Sequence, residues 1–443
     1  MTDDGQEQHG LSALDRAYGL RLDGDVDGAM RLAASILVAS PEDHGAAMLV
    51  ARLLLDGERA MLAGEVAERL ADALVRRGDL PGATVAANLG AEAGGFAEGA
   101  LQTIARAFAK GSERLSGRSP SPPALPAEVP VAPHFAKLTG GELLDAAEKA
   151  AQHFLKQKDE EPKDGPLPTL ALFSELDASV LGKFLGALEV REVKSGDQVV
   201  VEGEDGREAF VLVRGVLNVV RGAGDDATLL AALGPGAIFG EMALVAEAPR
   251  AAAVVAVEPA LLLVISRAQL ETLAREDGAV GRELGAFCQG RMVANLVRHS
   301  EILSALGSAE RAEIITHFTT RSLGAGEPLV HQGADSHSLF LVASGSVDVR
   351  STDAEGDRVV LAELGPGQVV GEISLVMRKP ATADVTAVIP TVVLELTQER
   401  FMEVIREHPA LLRDLYELAL KREEETRSVV AQKALDVSDV VLL

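Results

Sequence analysis

The sequence predicts an α+β multidomain chain: a helical array, then two β-rolls of the jelly-roll type, each with flanking helices. Three observations carry this. Residues 11–115 are rich in Ala and Leu at helical spacing and lack strand-like alternation. The run SERLSGRSPSPPALPAEVPVAP within residues 111–133 then interrupts them; its prolines remove backbone donors and stiffen the chain. Beyond that run the text repeats itself once, with turn glycines between short β-branched runs.

In the first part the phrase GDVDGAM, Gly24 to Met30, returns as GDLPGAT, Gly78 to Thr84. Each is followed by alanines at four-residue spacing, Ala29 and Ala33, then Ala83 and Ala87. A turn followed by small residues on one helix face lets paired helices pack closely. The pattern resembles a tetratricopeptide array, although the copies stand 54 residues apart, against a family period of about 34. The neighbouring RRGDL, Arg76 to Leu80, reads as a helix C-terminus with basic residues on the dipole.

These readings set the boundaries. Residues 1–115 form a helical, tetratricopeptide-like interaction region, and residues 116–166 a Pro-rich and charged linker. The linker holds one amphipathic helix, LLDAAEKAAQHF, Leu143 to Phe154. The rolls occupy residues 167–296 and 297–443, the second ending in a C-terminal helix.

The repeat is explicit. LFSELDASVLGKFL from Leu172 aligns with ILSALGSAERAEII from Ile302, an offset of 130. EGEDGREAFVLVRG from Glu202 aligns with QGADSHSLFLVASG from Gln332, and ALGPGAIFGEMAL from Ala232 with ELGPGQVVGEISL from Glu363. FVLV at Phe210 and LFLV at Leu339 are the clearest strands. After the first roll Val280, Leu284, Phe287, Cys288, Met292 and Leu296 fall at helical spacing, which suits a lid helix. Leu411, Leu415 and Leu418 begin the equivalent helix after the second.

The most specific stretch is GPGAIFGEMALVAEAPRAAAV, Gly234 to Val254. It sets one carboxylate, Glu241, and one guanidinium, Arg250, nine residues apart among small and apolar residues. A backbone of small residues approaches a ligand closely; Arg forks onto phosphate oxygens, and a carboxylate accepts from sugar hydroxyls. Such a set fits a ribose phosphate. The words FGEMAL and PRAAAV resemble the cassette of cyclic-nucleotide-binding domains, the sensors of cAMP-dependent kinase regulatory subunits and catabolite activators. The resemblance implies that Glu241 holds the ribose 2′-hydroxyl, Arg250 the cyclic phosphate, and the amides of Gly240, Met242, Ala243 and Ala251 its remaining oxygens. Ala251 stands where the family can carry a Thr or Ser for guanine, so cAMP is expected over cGMP. Leu284 and Phe287 are expected on the lid.

The second copy keeps Gly371 and Glu372, but nine residues on from Glu372 stands Ala381. Arg378 and Lys379 precede a proline and are expected to point elsewhere, and Asp384 is expected to repel phosphate. This site therefore reads as degenerate.

Charge and motifs bound the function. The chain has 443 residues and a formal charge of −25, which opposes nucleic acid and acidic membranes as partners. Its one cysteine, Cys288, excludes an internal disulfide and a cysteine-based zinc site. No apolar run follows a basic start, so a cytoplasmic protein is expected. His317, His331 and His337 lack metal-ligand spacing, and no nucleophile elbow, Walker loop or HExxH occurs. The stretch after Glu407 leaves no room for a helix-turn-helix. The reading is a non-enzymatic, metal-free cAMP receptor that works on an unidentified protein partner through its helical region. The alternative is a scaffold with vestigial, non-binding sensor domains.

Overall fold

The phrase that recurs in the helical region encodes a turn and a cap. Gly24 (φ 90°) and Gly78 (φ 83°) take left-handed turns that suit glycine. The next residues, Asp25 and Asp79, begin α2 (Val26–Ala39) and α5 (Leu80–Glu92) by accepting the amides of Gly28 and Gly82, each at 2.8 Å. A Cβ at Gly28 or Gly82 would lie 2.2 or 2.4 Å from that same carboxylate, so the cap requires the second glycine.

The computed structural model describes residues 11–95, 97–116, 130–157, 165–170, 173–222, 224, 227–245, 250, 252–276, 278, 281–283, 314, 317–335, 338–352 and 358–440. Two units divide the chain. One comprises Met1–Val201, Glu208–Glu241 and Ala252–Leu284, the other Glu202–Arg207, Met242–Ala251 and Gly285–Leu443.

In the first unit, α1 (Ala13–Leu22) opens on a capping box between Ser12 and Asp15. It is followed by α2, α3 (His44–Asp56), α4 (Ala60–Arg77), α5 and α6 (Ala97–Phe108), each packed on the next. The repeated phrase starts the second and the fifth of these, unlike places in a series of helix pairs, which is why its 54-residue spacing matches no pair-to-pair period. Arg76 and Arg77 close α4, with Arg76 paired to Asp72. The span expected to be linker adds a further member, α7 (Gly140–Leu155), which packs on α2, α3 and α4. Leu143, Ala147, Ala150, Ala151 and Phe154 are its buried face. The two ends of the span meet: Leu167 donates to the Arg114 carbonyl at 2.7 Å and accepts from Ser116 at 3.0 Å.

After α8 (Ala178–Ala187) the first roll is two antiparallel sheets. One runs β1 (Glu189–Val193), β8 (Ala260–Ser266), β3 (Glu208–Arg214), β6 (Ile238–Phe239). The other runs β2 (Gln198–Val200), β7 (Ala253–Ala256), β4 (Leu217–Arg221), β5 (Thr228–Leu233). Phe210, Leu212, Leu217, Phe239, Val254 and Leu262 fill the space between them, with Phe210 and Phe239 stacked at 5.0 Å. The one-turn α9 (Met242–Val245) follows β6, and α10 (Arg267–Glu276) follows β8.

Helix α1 is clasped to this roll by charge. Asp15, 5% exposed, pairs with Arg214, whose guanidinium lies 4.1 Å from the Tyr18 ring centre and donates to the Pro259 carbonyl. Arg21 pairs with Glu192, and Lys194 with Asp23. Burial pushes the Tyr18 hydroxyl up to about 12, so the ring facing Arg214 stays neutral.

The second unit repeats the roll strand for strand. One sheet runs β9 (Thr319–Leu323), β16 (Thr391–Thr397), β11 (Ser338–Ser344), β14 (Val369–Val370). The other runs β10 (Pro328–Val330), β15 (Asp384–Ala387), β12 (Val347–Thr352), β13 (Arg358–Leu364). The helix α11 (Glu372–Met377) follows β14, and α12 (Gln398–Glu407) leads into α13 (Pro409–Val440). Leu411, Leu415 and Ala419 bury α13 against its own unit, where it meets α11.

Candidate functional site

Every member of the second-roll site falls in one unit. Gly371 (φ 87°) joins β14 to α11; a Cβ there would lie 2.3 Å from the Ser338 carbonyl oxygen. This turn delivers Glu372, 3% exposed, into a cavity of about 140 Å³. Val330, Leu361, Ala381, Thr382 and Val385 also line it. Helix α13 closes it with Arg422, which donates to Glu372 at 3.0 Å and to the Val369 carbonyl at 2.6 Å.

Ala381 is fixed by its backbone. Gly333 donates to the Ala381 carbonyl at 2.8 Å, and Ala381 donates to the Ala334 carbonyl at 2.9 Å. The first roll has the same exchange: Gly203 donates to the Arg250 carbonyl and Arg250 to the Glu204 carbonyl, both at 2.9 Å. Arg250 and Ala381 therefore hold equivalent places. One has a guanidinium and the other a methyl group.

The rest of the first cassette is placed as follows. Gly240 (φ 73°) makes the turn out of β6, and Glu241 is 5% exposed. Met242 begins α9, Ala243 on the same turn is buried, and the Arg250 side chain passes over Gly206. Ala251, Leu284 and Phe287 lie outside the described residues.

Both rolls also match a known sequence pattern, that of the cyclic nucleotide-binding domain, at residues 190–277 and 320–408. The chain carries two cyclic nucleotide-binding domains. It is similar to the cAMP-dependent protein kinase regulatory subunit of Yarrowia lipolytica, 26% identical over 67% of this chain and 76% of that protein. It is also similar to the cAMP-dependent protein kinase type II regulatory subunit of Drosophila melanogaster, 30% identical over 49% of this chain and 54% of the relative. Against the regulatory domain of Toxoplasma gondii PKA, solved with cAMP, it is 23% identical over 56% of this chain and 92% of that one, with a TM-score of 0.29.

The two domains differ in charge at the site. In the second, the carboxylate that joins Glu372 at the cavity is Glu425 of α13. Asp384, expected to repel phosphate, does not line the cavity: its carboxylate accepts the Gln332 amide at 2.9 Å. Lys379 pairs with Glu423 at 2.8 Å, and Arg378 ends α11 in a left-handed conformation (φ 53°). Among the described residues no three His, Cys, Asp or Glu side chains gather as a metal site, and no helix is long and apolar enough to cross a membrane.

Sequence reasoning missed Arg422 and Gly206. Arg422 stands 50 residues from Glu372 and carries no local signal. Gly206 had one: of three glycines in EGEDGREAFVLVRG, it alone is not repeated in the second copy. Replacing Arg422 with Ala leaves Glu372 buried without its guanidinium, an expected loss of about 1–3 kcal/mol. Amide exchange along Leu411–Thr426 is expected to quicken. Unchanged exchange would mean that the apolar face of α13 holds it without the ion pair.

Proposed function

We propose that this chain is a non-enzymatic, cytoplasmic cAMP receptor whose first domain binds the nucleotide and whose second domain does not. The observation that carries it is the equivalence of Arg250 and Ala381, each in the same exchange of backbone hydrogen bonds. Only the first domain then has both a cassette carboxylate, Glu241, and a cassette guanidinium. Among the described residues, a cyclic phosphate in the second would meet Glu372 and Glu425 with one lining cation, Arg422, already bonded to Glu372. A buried anion without counter-charge is strongly disfavoured. In the first domain we assign the ribose 2′-hydroxyl to Glu241, the phosphate to Arg250, and its other oxygens to the amides of Gly240, Met242, Ala243 and Ala251. Ala251 offers no hydroxyl to a guanine, which favours cAMP over cGMP.

The names of the curated relatives support cAMP as ligand and a protein kinase as the kind of partner regulated. We assign the partner surface to the helical region, whose tetratricopeptide-like reading rests on the two Gly-Asp turns. RRGDL lies within this region, spanning the end of α4 and the start of α5 with Leu80 buried. The test is Glu241→Ala. A hydroxyl bonded to a charged acceptor contributes roughly 1.5–3 kcal/mol, so cAMP should bind about 10- to 150-fold more weakly. Wild-type affinity in that variant would remove the ribose assignment.

A further inference from the structure

The loop Glu202–Arg207 and the segment that carries Arg250 belong to the same unit. Arg250 is tied to this loop by the two backbone bonds to Gly203 and Glu204. Its side chain then runs across Gly206: a Cβ built there would lie 2.2 Å from Nε, 2.4 Å from Cζ and 2.8 Å from Cδ of Arg250. No Cβ tolerates such distances, and the nearest atoms belong to a movable side chain. A side chain at position 206 would therefore displace the guanidinium rather than the fold. Gly206 has no left-handed φ, so its backbone accepts Ala without strain.

The internal repeat supplies an independent observation. At the matching position the second copy has Ser336, and where the first has Arg250 it has Ala381. Glycine and arginine are lost together, while the flanking glycines, Gly203 and Gly215, return as Gly333 and Gly345. Gly333 keeps its bond to Ala381, as Gly203 has its bond to Arg250. With no left-handed φ of its own and the Arg250 side chain against it, Gly206 serves the guanidinium and not a turn.

We propose that Gly206 is the positioning residue for Arg250: its missing side chain is the seat on which the phosphate-binding guanidinium is held. This rests on the reading of Arg250 as the phosphate ligand. Bidentate recognition of a phosphate depends on the direction of the planar fork, so a guanidinium lifted off its seat keeps its charge and loses its aim.

The test is a double-mutant cycle on the whole chain: cAMP affinity and melting temperature for wild type, Gly206→Ala, Arg250→Ala and the double variant. Gly206→Ala is expected to bind about thirtyfold more weakly or worse, with the melting temperature unchanged. Added to Arg250→Ala, it is expected to change the residual affinity by less than about twofold. Wild-type affinity in Gly206→Ala overturns the proposal, as does an equal loss in the presence and absence of Arg250. A lowered melting temperature with proportionate loss of binding also overturns it, by making Gly206 a fold residue. Failure of the wild-type chain to bind cAMP removes the phosphate reading and this proposal with it, and is distinguished from the other outcomes by that measurement alone.

Discussion

The Arg250→Ala protein is expected to lose nearly all cAMP binding and to keep its fold. A charge-assisted contact to a desolvated phosphate, once truncated, costs roughly 2–5 kcal/mol, which is about thirtyfold to several thousandfold in affinity. The fold should survive because the backbone of Arg250, not its side chain, makes the two bonds to the Gly203–Glu204 loop. The second domain is the natural precedent: Ala381 makes the same two bonds, and β10 and β15 still pair beside it. The loss should exceed that of Glu241→Ala, since the arginine neutralises a full charge. Calorimetric titration of both variants checks the order, and its reversal would exchange the roles assigned to the two residues.

A second large effect is expected far from the cassette. Asp15→Ala removes the ion-pair partner of Arg214, largely buried, which keeps the Pro259 carbonyl, the Tyr18 ring and the charge of nearby Glu258. Breaking a buried ion pair from one side costs about 3–5 kcal/mol; because Arg214 keeps other partners, about 3 is expected. The penalty comes from the stranded charge and not from lost area. Replacing both residues with apolar ones, Asp15→Leu with Arg214→Met, should therefore recover most of it. Urea denaturation of the three proteins checks this, and an unchanged midpoint in Asp15→Ala would show that the clasp contributes nothing to stability. Glu258 nearby belongs to the same cluster: burial first, then the Asp15 carboxylate, raises its pKa.

Much of this architecture is legible in the sequence because it rests on local rules. The Gly-Asp turns are readable since a left-handed glycine and an aspartate cap lie within one phrase. The rolls are readable since FVLV and LFLV recur with their turn glycines, and the strand order repeats with them. The place of Ala381 follows from counting, because the offset stays constant through the cassette. What escapes depends on contacts distant in the chain. Asp15 and Arg214 are 199 residues apart, and each looks like an ordinary surface charge. Arg422 reaches Glu372 only because α13 folds back over β13 and α11. The amphipathic helix in the Pro-rich span is visible as a helix, but its apolar face does not say that it docks on α2, α3 and α4. Gly206 escapes for another reason: glycines in turn-rich text invite a conformational explanation, and this one serves a neighbour's side chain.

One domain of the pair is expected to bind cAMP, because only it has a cassette guanidinium. Calorimetric titration of the whole chain with cAMP tests it most directly. One nucleotide per chain is expected, with the signal lost in Arg250→Ala. Two sites, or a site that persists undiminished in Arg250→Ala, would place the nucleotide on Glu372 and Arg422 as well and contradict it.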